Sequence, residues 1–142
     1  KTSISYIKLF LQGKYPGAPN FGILISDMKD VVKAHVLSLK NSKVGGRRLI
    51  IGSEVKKMIE ISKIMAETLP DYAKKLPKKE LPNFLVKIIS HLDTSAKMMV
   101  PDLGIKMQTD ASYVEELLGF KFKPAKGCIE DAAKSTIRLG LV

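Results

Sequence analysis

A short apolar run near the middle of the chain constrains the fold most strongly. Leu49, Ile50 and Ile51 follow two arginines and precede Gly52. Three consecutive aliphatic residues leave a strand without a polar face, a pattern typical of parallel strands buried on both sides. Such a strand needs neighbouring strands in its sheet and helices over both faces. We therefore predict a strand over residues 48–52 in which Ile50 and Ile51 are buried on opposite faces.

The rest of the chain predicts mainly helices, because apolar residues recur at helical spacing between capping residues and glycine or proline stops. One further short strand is predicted at 21–25 and a weak one at 106–109. The predicted helices cover 3–12, 28–40, 54–68, 82–92, 94–99, 111–118 and 128–139. One doubly buried strand among so many helices cannot complete a sheet. We expect the chain to be the C-terminal part of a longer α/β protein.

Two of these helices carry apolar stripes, which a surface helix normally turns towards the core. Asp27 is expected to cap the first, and Leu81 and Pro82 lead into the second. The first stripe consists of Met28, Val31, Val32, His35, Val36 and Leu39, and the second of Phe84, Leu85, Ile88, Ile89 and Leu92.

Composition limits the classes of protein to which the chain can belong. Its 142 residues are 45% hydrophobic and 27% charged, which is typical of a globular domain and argues against disorder. No apolar run approaches the ~20 residues of a membrane helix, and we expect no membrane partner. With one cysteine and two histidines, neither a disulfide framework nor a thiolate or histidine metal site is expected. No secretory signal opens the chain, so we expect a cytoplasmic protein.

The charge is strongly basic and unevenly distributed. The net charge is +10 from 24 basic and 14 acidic residues. A charge of this size suggests nucleic acid as one candidate partner. Only three of the basic residues are arginines, whereas readers of bases and phosphates depend on the bidentate guanidinium group. The lysines are also dispersed. We therefore favour a solvated coat of lysines and regard nucleic acid binding as the weaker interpretation.

The motifs of cofactor binding and catalysis are missing from the sequence. There is no Gly-x-Gly-x-x-Gly turn and no phosphate-binding loop ending in Gly-Lys-Ser/Thr. None of the four tyrosines has a lysine four residues further on, since those positions hold Phe10, Pro19, Leu76 and Leu117. The chain therefore lacks a tyrosine–lysine pair that could donate a proton to a carbonyl oxygen.

The residues with reactive side chains have plainer explanations. Cys128 opens an apolar helical stripe and is expected in the core, where free cysteines usually lie. His35 lies on an apolar helix face and is expected in the core or at a domain interface. The pair Glu115 and Glu116 is expected to face solvent. Asp27 and Asp30 lie at the start of a predicted helix, where the helix dipole favours negative charge.

The order of several segments nevertheless resembles a known superfamily. Residues 25–37 resemble the V-D-V-R-D-V-A-x-A-H-V segment of the extended short-chain dehydrogenases/reductases, and residues 46–52 resemble their G-x-R-Y-I-x-x-G strand. The nearest group is that of the dihydroflavonol-reductase-like proteins and NAD-dependent epimerases/dehydratases. Further segments resemble its L-P-x-W-L-V, V-x-P-E-L-G, D-x-S-K-A-x-x-x-L-G-W-x-P and S-T-S-I motifs, at 81–86, 100–104, 110–124 and 2–17. Lys29, Ser26 and Phe120 depart from these patterns.

The resemblance implies a parent enzyme that reduces a carbonyl with NADP or NAD, through a tyrosine and lysine that lie upstream of this chain. Residues 1–52 would close its Rossmann-type (doubly wound) sheet, and 53–142 would form a mainly helical substrate-binding lobe. Thr2 and Ser3 match positions near the cofactor. The implied partners are a small carbonyl substrate and the missing N-terminal Rossmann portion, and a homodimer is compatible with the family. The chain alone is expected to be inactive. The competing interpretation is an independent basic helical module that binds nucleic acid or an acidic partner.

Overall fold

The computed structural model describes residues 3–91, 94–97 and 99–142. Within these ranges helices dominate, and the strands are short. The helices are α1 (Ser3–Leu11), α2 (Met28–Leu39), α3 (Met58–Thr68), α4 (Asn83–Ile89), α5 (Thr94–Lys97), α6 (Ser112–Leu118) and α7 (Ala125–Arg138), and the strands are β1 (Ala18–Pro19), β2 (Gly22–Ile25), β3 (Glu54–Lys57) and β4 (Glu80–Leu81). Single 3₁₀ turns lie at Ser42–Val44, Pro70–Tyr72 and Val100–Asp102.

The strands form two small sheets. β2 pairs antiparallel with β3, in a register that places Gly22 opposite Lys57 and Ile25 opposite Glu54. β1 pairs parallel with β4 over two residues. A Cβ atom at position 22 would lie 2.8 Å from a methyl carbon of Val55, so the close pairing of β2 with β3 requires glycine there.

The main core lies where α1, α3 and α7 pack together. Phe10, Met58, Met65 and Ala133 are completely buried in it, and Ile129 nearly so. These residues come from all three helices and lie at the helical spacing by which the sequence predicts a helix in each of these regions. Burial of their apolar side chains is the main stabilising contribution to the fold.

A second core lies beneath α2 and α6. It joins Ala34 of α2 to Val114 and Leu118 of α6, and to Phe120 and Phe122, which follow α6. The chain turns back after α6 because Gly119 adopts a left-handed conformation with φ of 68°, as glycine readily does at a helix end. Helix α6 ends at Leu118, as the sequence predicts, and Phe120 packs back onto it.

The predicted strand over 48–52 is wrong for this chain. These residues belong to no helix and pair with no strand, and Ile50 is 54% exposed. The strand of this region is β3 instead, and α3 begins at Met58, four residues later than predicted. Ser53 donates its hydroxyl to the Ile25 carbonyl oxygen rather than capping a helix. The physical reason is that a parallel strand needs neighbours, and none of the described residues supplies one.

Three further predictions need correction. Residues 106–109 pair with no strand. The stripe of α2 is largely exposed, since Met28, Val32, Val36 and Leu39 all face outward and Ala34 is the buried residue of the helix. The stripe of α4 is exposed in the same way, apart from Leu92, which lies outside the described residues. A helix buries its apolar stripe only where the chain provides something to cover it.

Candidate functional site

An open groove lies between α1, the start of α2 and α7. Its outer part has a volume of about 820 Å³, and an apolar inner chamber of about 200 Å³ reaches Phe10 in the main core. The two parts adjoin, because Ile7 and Cys128 line both. We call it the α1–α7 groove, and its characteristic lining residues are Ile4, Ile7, Ser26, Asp27, Cys128 and Asp131.

The predicted cofactor contacts belong to the start of α1. The prediction concerns the side chains of Thr2 and Ser3, both of which lie outside the described part of the structure. Ile4, the next residue, lines the outer part of the groove. The two predicted cofactor contacts stay a prediction.

A charged cluster closes the groove at the starts of α2 and α7. The backbone N–H of Lys123 donates to a carboxylate oxygen of Asp30 over 2.7 Å. The ammonium group of Lys123 donates to Asp27 over 3.3 Å and to Asp131. Asp27 also caps α2 by accepting from the backbone N–H of Lys29. We call these four residues, Asp27, Asp30, Lys123 and Asp131, the Lys123 clamp, because they join the two helix starts across more than ninety residues of sequence.

Within the clamp, Lys123 and Asp131 are stabilised in their charged forms. Hydrogen bonding to Asp131, and then to Asp27, raises the pKa of Lys123 despite its partial burial. The same hydrogen bond lowers the pKa of Asp131. Because each group is stabilised in its charged form, neither is suited to exchange a proton near neutral pH. The clamp positions helices and performs no acid–base chemistry by itself.

Cys128 lies at the floor of the groove and is 7% exposed. Its thiol points to the carbonyl oxygen of Lys123, 3.6 Å away. Burial, followed by the charge of Asp27, raises the pKa of this thiol. Since the thiolate is the reactive form, Cys128 is not an activated nucleophile. The predicted core location of Cys128 is confirmed.

Two other predictions about reactive residues are wrong in part. His35 is exposed on α2, where its ring nitrogen donates to the Val31 carbonyl oxygen over 2.7 Å, so it does not lie in the core of this chain. Glu115 is mostly buried rather than solvent-facing: its side chain is 15% exposed. Its carboxylate accepts from Lys121 and from the backbone N–H of Phe122. Glu115 therefore fixes the return of the chain after α6.

The environment of Glu115 predicts a dependence of stability on pH. The hydrogen bond from Lys121, followed by that from Phe122, lowers its pKa below the ordinary value of 4.5. A lowered pKa in the folded state stabilises the protein above that ordinary value, and the stabilisation is lost as the pH falls through the folded-state pKa. We expect Glu115→Gln to lower the free energy of unfolding at pH 6 but much less at pH 3, in urea titrations followed by circular dichroism.

The neighbouring carboxylate provides the control for this prediction. Glu116 is exposed, and Glu116→Gln is expected to change the free energy of unfolding little at either pH. Equal losses at pH 6 and pH 3 for Glu115→Gln would show that the residue acts through packing and not through its charge.

The starts of α2, α3, α6 and α7 do not offer a pyrophosphate site. Anions bind there through free backbone N–H groups, but carboxylates already accept from these groups or from the adjacent cap. Asp27 does so at α2, Glu60 at α3, Asp110 at α6 and, over 3.3 Å, Glu54 at α7. A dinucleotide phosphate would compete with a fixed negative charge at each of these four helices. Among the described residues, no group of three or more His, Cys, Asp and Glu could hold a metal ion.

Lys123 and Asp131 are the site residues that the sequence analysis did not single out. No local signal identifies them, because the partners of Lys123 in α2 lie 93 and 96 residues away. Only the tertiary fold, which places the start of α7 near the start of α2, brings these charges together. The two aspartates at the start of α2 predict helix capping. Asp27 does cap α2, but it also accepts a hydrogen bond from the ammonium group of Lys123.

Comparison with known proteins gives a match in structure but not in sequence. No family model and no curated protein matches the chain. Yeast methylglyoxal/isovaleraldehyde reductase Gre2, solved with NADPH, matches 96% of this chain and 40% of its own, at 23% identity and a TM-score of 0.68. Gre2 from Candida albicans matches 99% of this chain and 38% of its own, at 22% identity and a TM-score of 0.69. The chain has the fold of the C-terminal part of an extended short-chain dehydrogenase/reductase.

A third match agrees with these two. The protein gox2253 covers 99% of this chain with 44% of its own length, at 17% identity and a TM-score of 0.74. The chain therefore spans roughly two fifths of the reductases whose fold it shares. The predicted fold class, an α/β C-terminal portion of a Rossmann-fold protein, is confirmed.

Proposed function

We propose that this chain is the C-terminal part of an NADPH-dependent reductase that acts on a small carbonyl compound. In this proposal it supplies the substrate-binding lobe and closes the Rossmann sheet. The likeness in fold to Gre2 proteins, two of which are named as NADPH complexes, supports NADPH as the cofactor of the whole protein. It also supports an upstream Rossmann portion as the missing partner.

The exposed apolar surface around α2 is the observation that carries the proposal. Met28 is 75% exposed and Leu39 is 89% exposed, with Val32 and Val36 between them on the same helix. Ile50 lies in segment 47–52. This segment is joined to the start of α2 by a hydrogen bond of 2.6 Å from the Ser26 hydroxyl to the Ile51 carbonyl oxygen. We call Met28, Val32, Val36, Leu39 and Ile50 the α2 face.

A covered surface explains the α2 face better than a solvated one. Monomeric proteins rarely expose large contiguous apolar patches without a partner. Leu49, Ile50 and Ile51 are aliphatic and belong to no strand, so they are free to add to the edge of a parallel sheet. In the whole protein the Rossmann portion would cover α2 and pair with this segment. The strand that the sequence predicts would then form.

The chemistry of reduction is assigned to residues outside this chain. NADPH supplies a hydride when bound, and the proton that accompanies it requires a donor at the carbonyl oxygen. This chain contains no glycine-rich turn and no tyrosine–lysine pair, and the carboxylates at the starts of α2, α3, α6 and α7 do not favour a pyrophosphate there. Its own residues would shape the substrate side of the site, through the α1–α7 groove and the Lys123 clamp that holds the groove together.

The proposal predicts that the 142-residue chain alone neither binds NADPH tightly nor reduces a carbonyl. Hydrogen bonds from Thr2 and Ser3 would contribute roughly 0.5–1.5 kcal/mol each, whereas even a millimolar dissociation constant corresponds to about 4 kcal/mol. Isothermal titration of the chain with NADPH should therefore give no measurable heat of binding. A longer polypeptide that includes the upstream residues should oxidise NADPH in the presence of methylglyoxal or another small aldehyde.

Two results would contradict the proposal. Micromolar binding of NADPH by the chain alone would mean that it contains a cofactor site of its own. A folded longer polypeptide that binds no NADPH would remove the Rossmann portion from the proposal. The control is the longer polypeptide with alanine in place of the glycines of its cofactor turn, which should fold but lose binding.

A further inference from the structure

The short helix α4 exposes a second apolar surface. Phe84 is 62% exposed and Ile88 is 59% exposed, and Leu85 and Ile89 beside them are more than one third exposed. Positions separated by one, four and five residues share one side of a helix. We call these four residues the α4 face. Val86 is the only residue of α4 that is buried, so most of the apolar surface of the helix points outward.

Four lysines lie on α4 or close to it in the fold or along the chain. Lys14 lines a small cleft together with Ile89, and Lys75 packs against the turn at Gly13, the residue before Lys14. Lys79 immediately precedes β4, and Lys87 lies on α4 itself. Within the described ranges none of these four lysines pairs with a carboxylate. The sequence from 81 to 91 contains no Asp or Glu.

The α4 face and the α2 face belong to different parts of the molecule. α2 packs against α6 and the second core, whereas α4 packs against α5. The α2 face, which the Rossmann portion is proposed to cover, is therefore separate from the α4 face. A second copy of the chain is a poor occupant, because it would bring the same unpaired lysines against these.

We propose that the α4 face binds the surface of an anionic lipid bilayer. Exposed aliphatic and aromatic side chains on one helix face, flanked by lysines and free of carboxylates, are the features that place a helix in the headgroup region. The apolar side chains would enter the boundary of the acyl chains, and the long lysine side chains would reach the lipid phosphates. Four side chains on one short helix offer too little area for a stable protein–protein interface, whereas a lipid surface requires no complementary shape.

The expectation of no membrane partner is replaced by this proposal. That expectation rested on the length of apolar runs, which bears only on spanning segments. No helix in the described part of the chain is both long and apolar enough to cross a bilayer. Surface binding needs only a cluster of side chains, and tertiary structure decides whether such a cluster is exposed.

Co-sedimentation of the 142-residue chain with lipid vesicles tests the proposal. We expect binding to vesicles that contain about one third phosphatidylserine and little binding to phosphatidylcholine alone. Replacing Phe84 and Ile88 together by serine should abolish the binding. Replacing Lys79 and Lys87 together by glutamine should weaken it roughly thirtyfold. Phe84, Lys87 and Ile88 all lie on α4, so their replacement could unfold this helix. Circular dichroism and urea unfolding of each variant will verify that it remains folded.

Matched variants on the α2 face make the test specific. Met28→Ser with Leu39→Ser removes two exposed apolar side chains, and Lys40→Gln with Lys43→Gln removes two exposed lysines, both away from α4. These variants should bind vesicles as the unmodified chain does. Three results would each overturn the proposal. They are equal binding to both lipid compositions, loss of binding in the α2 variants, and loss of binding when the upstream residues are present. The last outcome would mean that the rest of the protein covers the α4 face.

Discussion

Ile50→Asp should leave the stability of the 142-residue chain almost unchanged but destabilise the longer polypeptide that includes the upstream residues. In the 142-residue chain Ile50 is 54% exposed, so we expect the free energy of unfolding to change by no more than about 0.5 kcal/mol. In the longer polypeptide the same residue would be covered by the Rossmann portion. An unpaired carboxylate buried there should cost roughly 3–5 kcal/mol. Urea unfolding of both forms measures the difference.

A matched control separates burial from charge in this experiment. Gln108 is exposed in an irregular segment, and Gln108→Asp adds the same charge without touching the α2 face. It should be neutral in both polypeptides. If Ile50→Asp were equally harmless in the longer polypeptide, the α2 face would not be the surface that meets the Rossmann portion.

Met65→Ala should destabilise the short chain by about 2–5 kcal/mol, as deletions of large buried side chains do. Met65 is completely buried in the main core, together with Phe10 and Met58. Its truncation would leave a cavity between α3 and its neighbours, because close-packed helices relax only in part around a missing side chain. The midpoint of urea unfolding is the measurement, with the slope checked for a constant two-state transition.

Met28 provides the counterpart on the surface. It is 75% exposed, and Met28→Ala should change the stability of the short chain by about 0.5 kcal/mol or less. A comparable loss for the two methionine variants would contradict the assignment of the main core to α1, α3 and α7.

The sequence by itself determined the helices and their ends. Periodicity predicts α1, α2, α6 and α7 to within a few residues, because the spacing of apolar residues and the capping chemistry are local properties. Asp27 caps α2, and Gly119 ends α6, for reasons that can be read from each residue and its immediate neighbours. The resemblance of ordered segments to the extended short-chain dehydrogenases/reductases likewise predicted the fold, which the structural matches confirm.

The tertiary structure decided which apolar surfaces are covered and which charges meet. The sequence predicts that Ile50 is buried, because the pattern of residues reflects the surroundings of a strand in a complete sheet, and this chain does not supply those surroundings. The stripes of α2 and α4 look alike in sequence, yet they lie on different parts of the molecule. The Lys123 clamp depends on residues about ninety positions apart. Each of these features depends on two segments of the protein, whether the feature is strand pairing, the burial of a helix face or a long-range ion pair. The pattern of residues in one segment does not specify where the other segment lies.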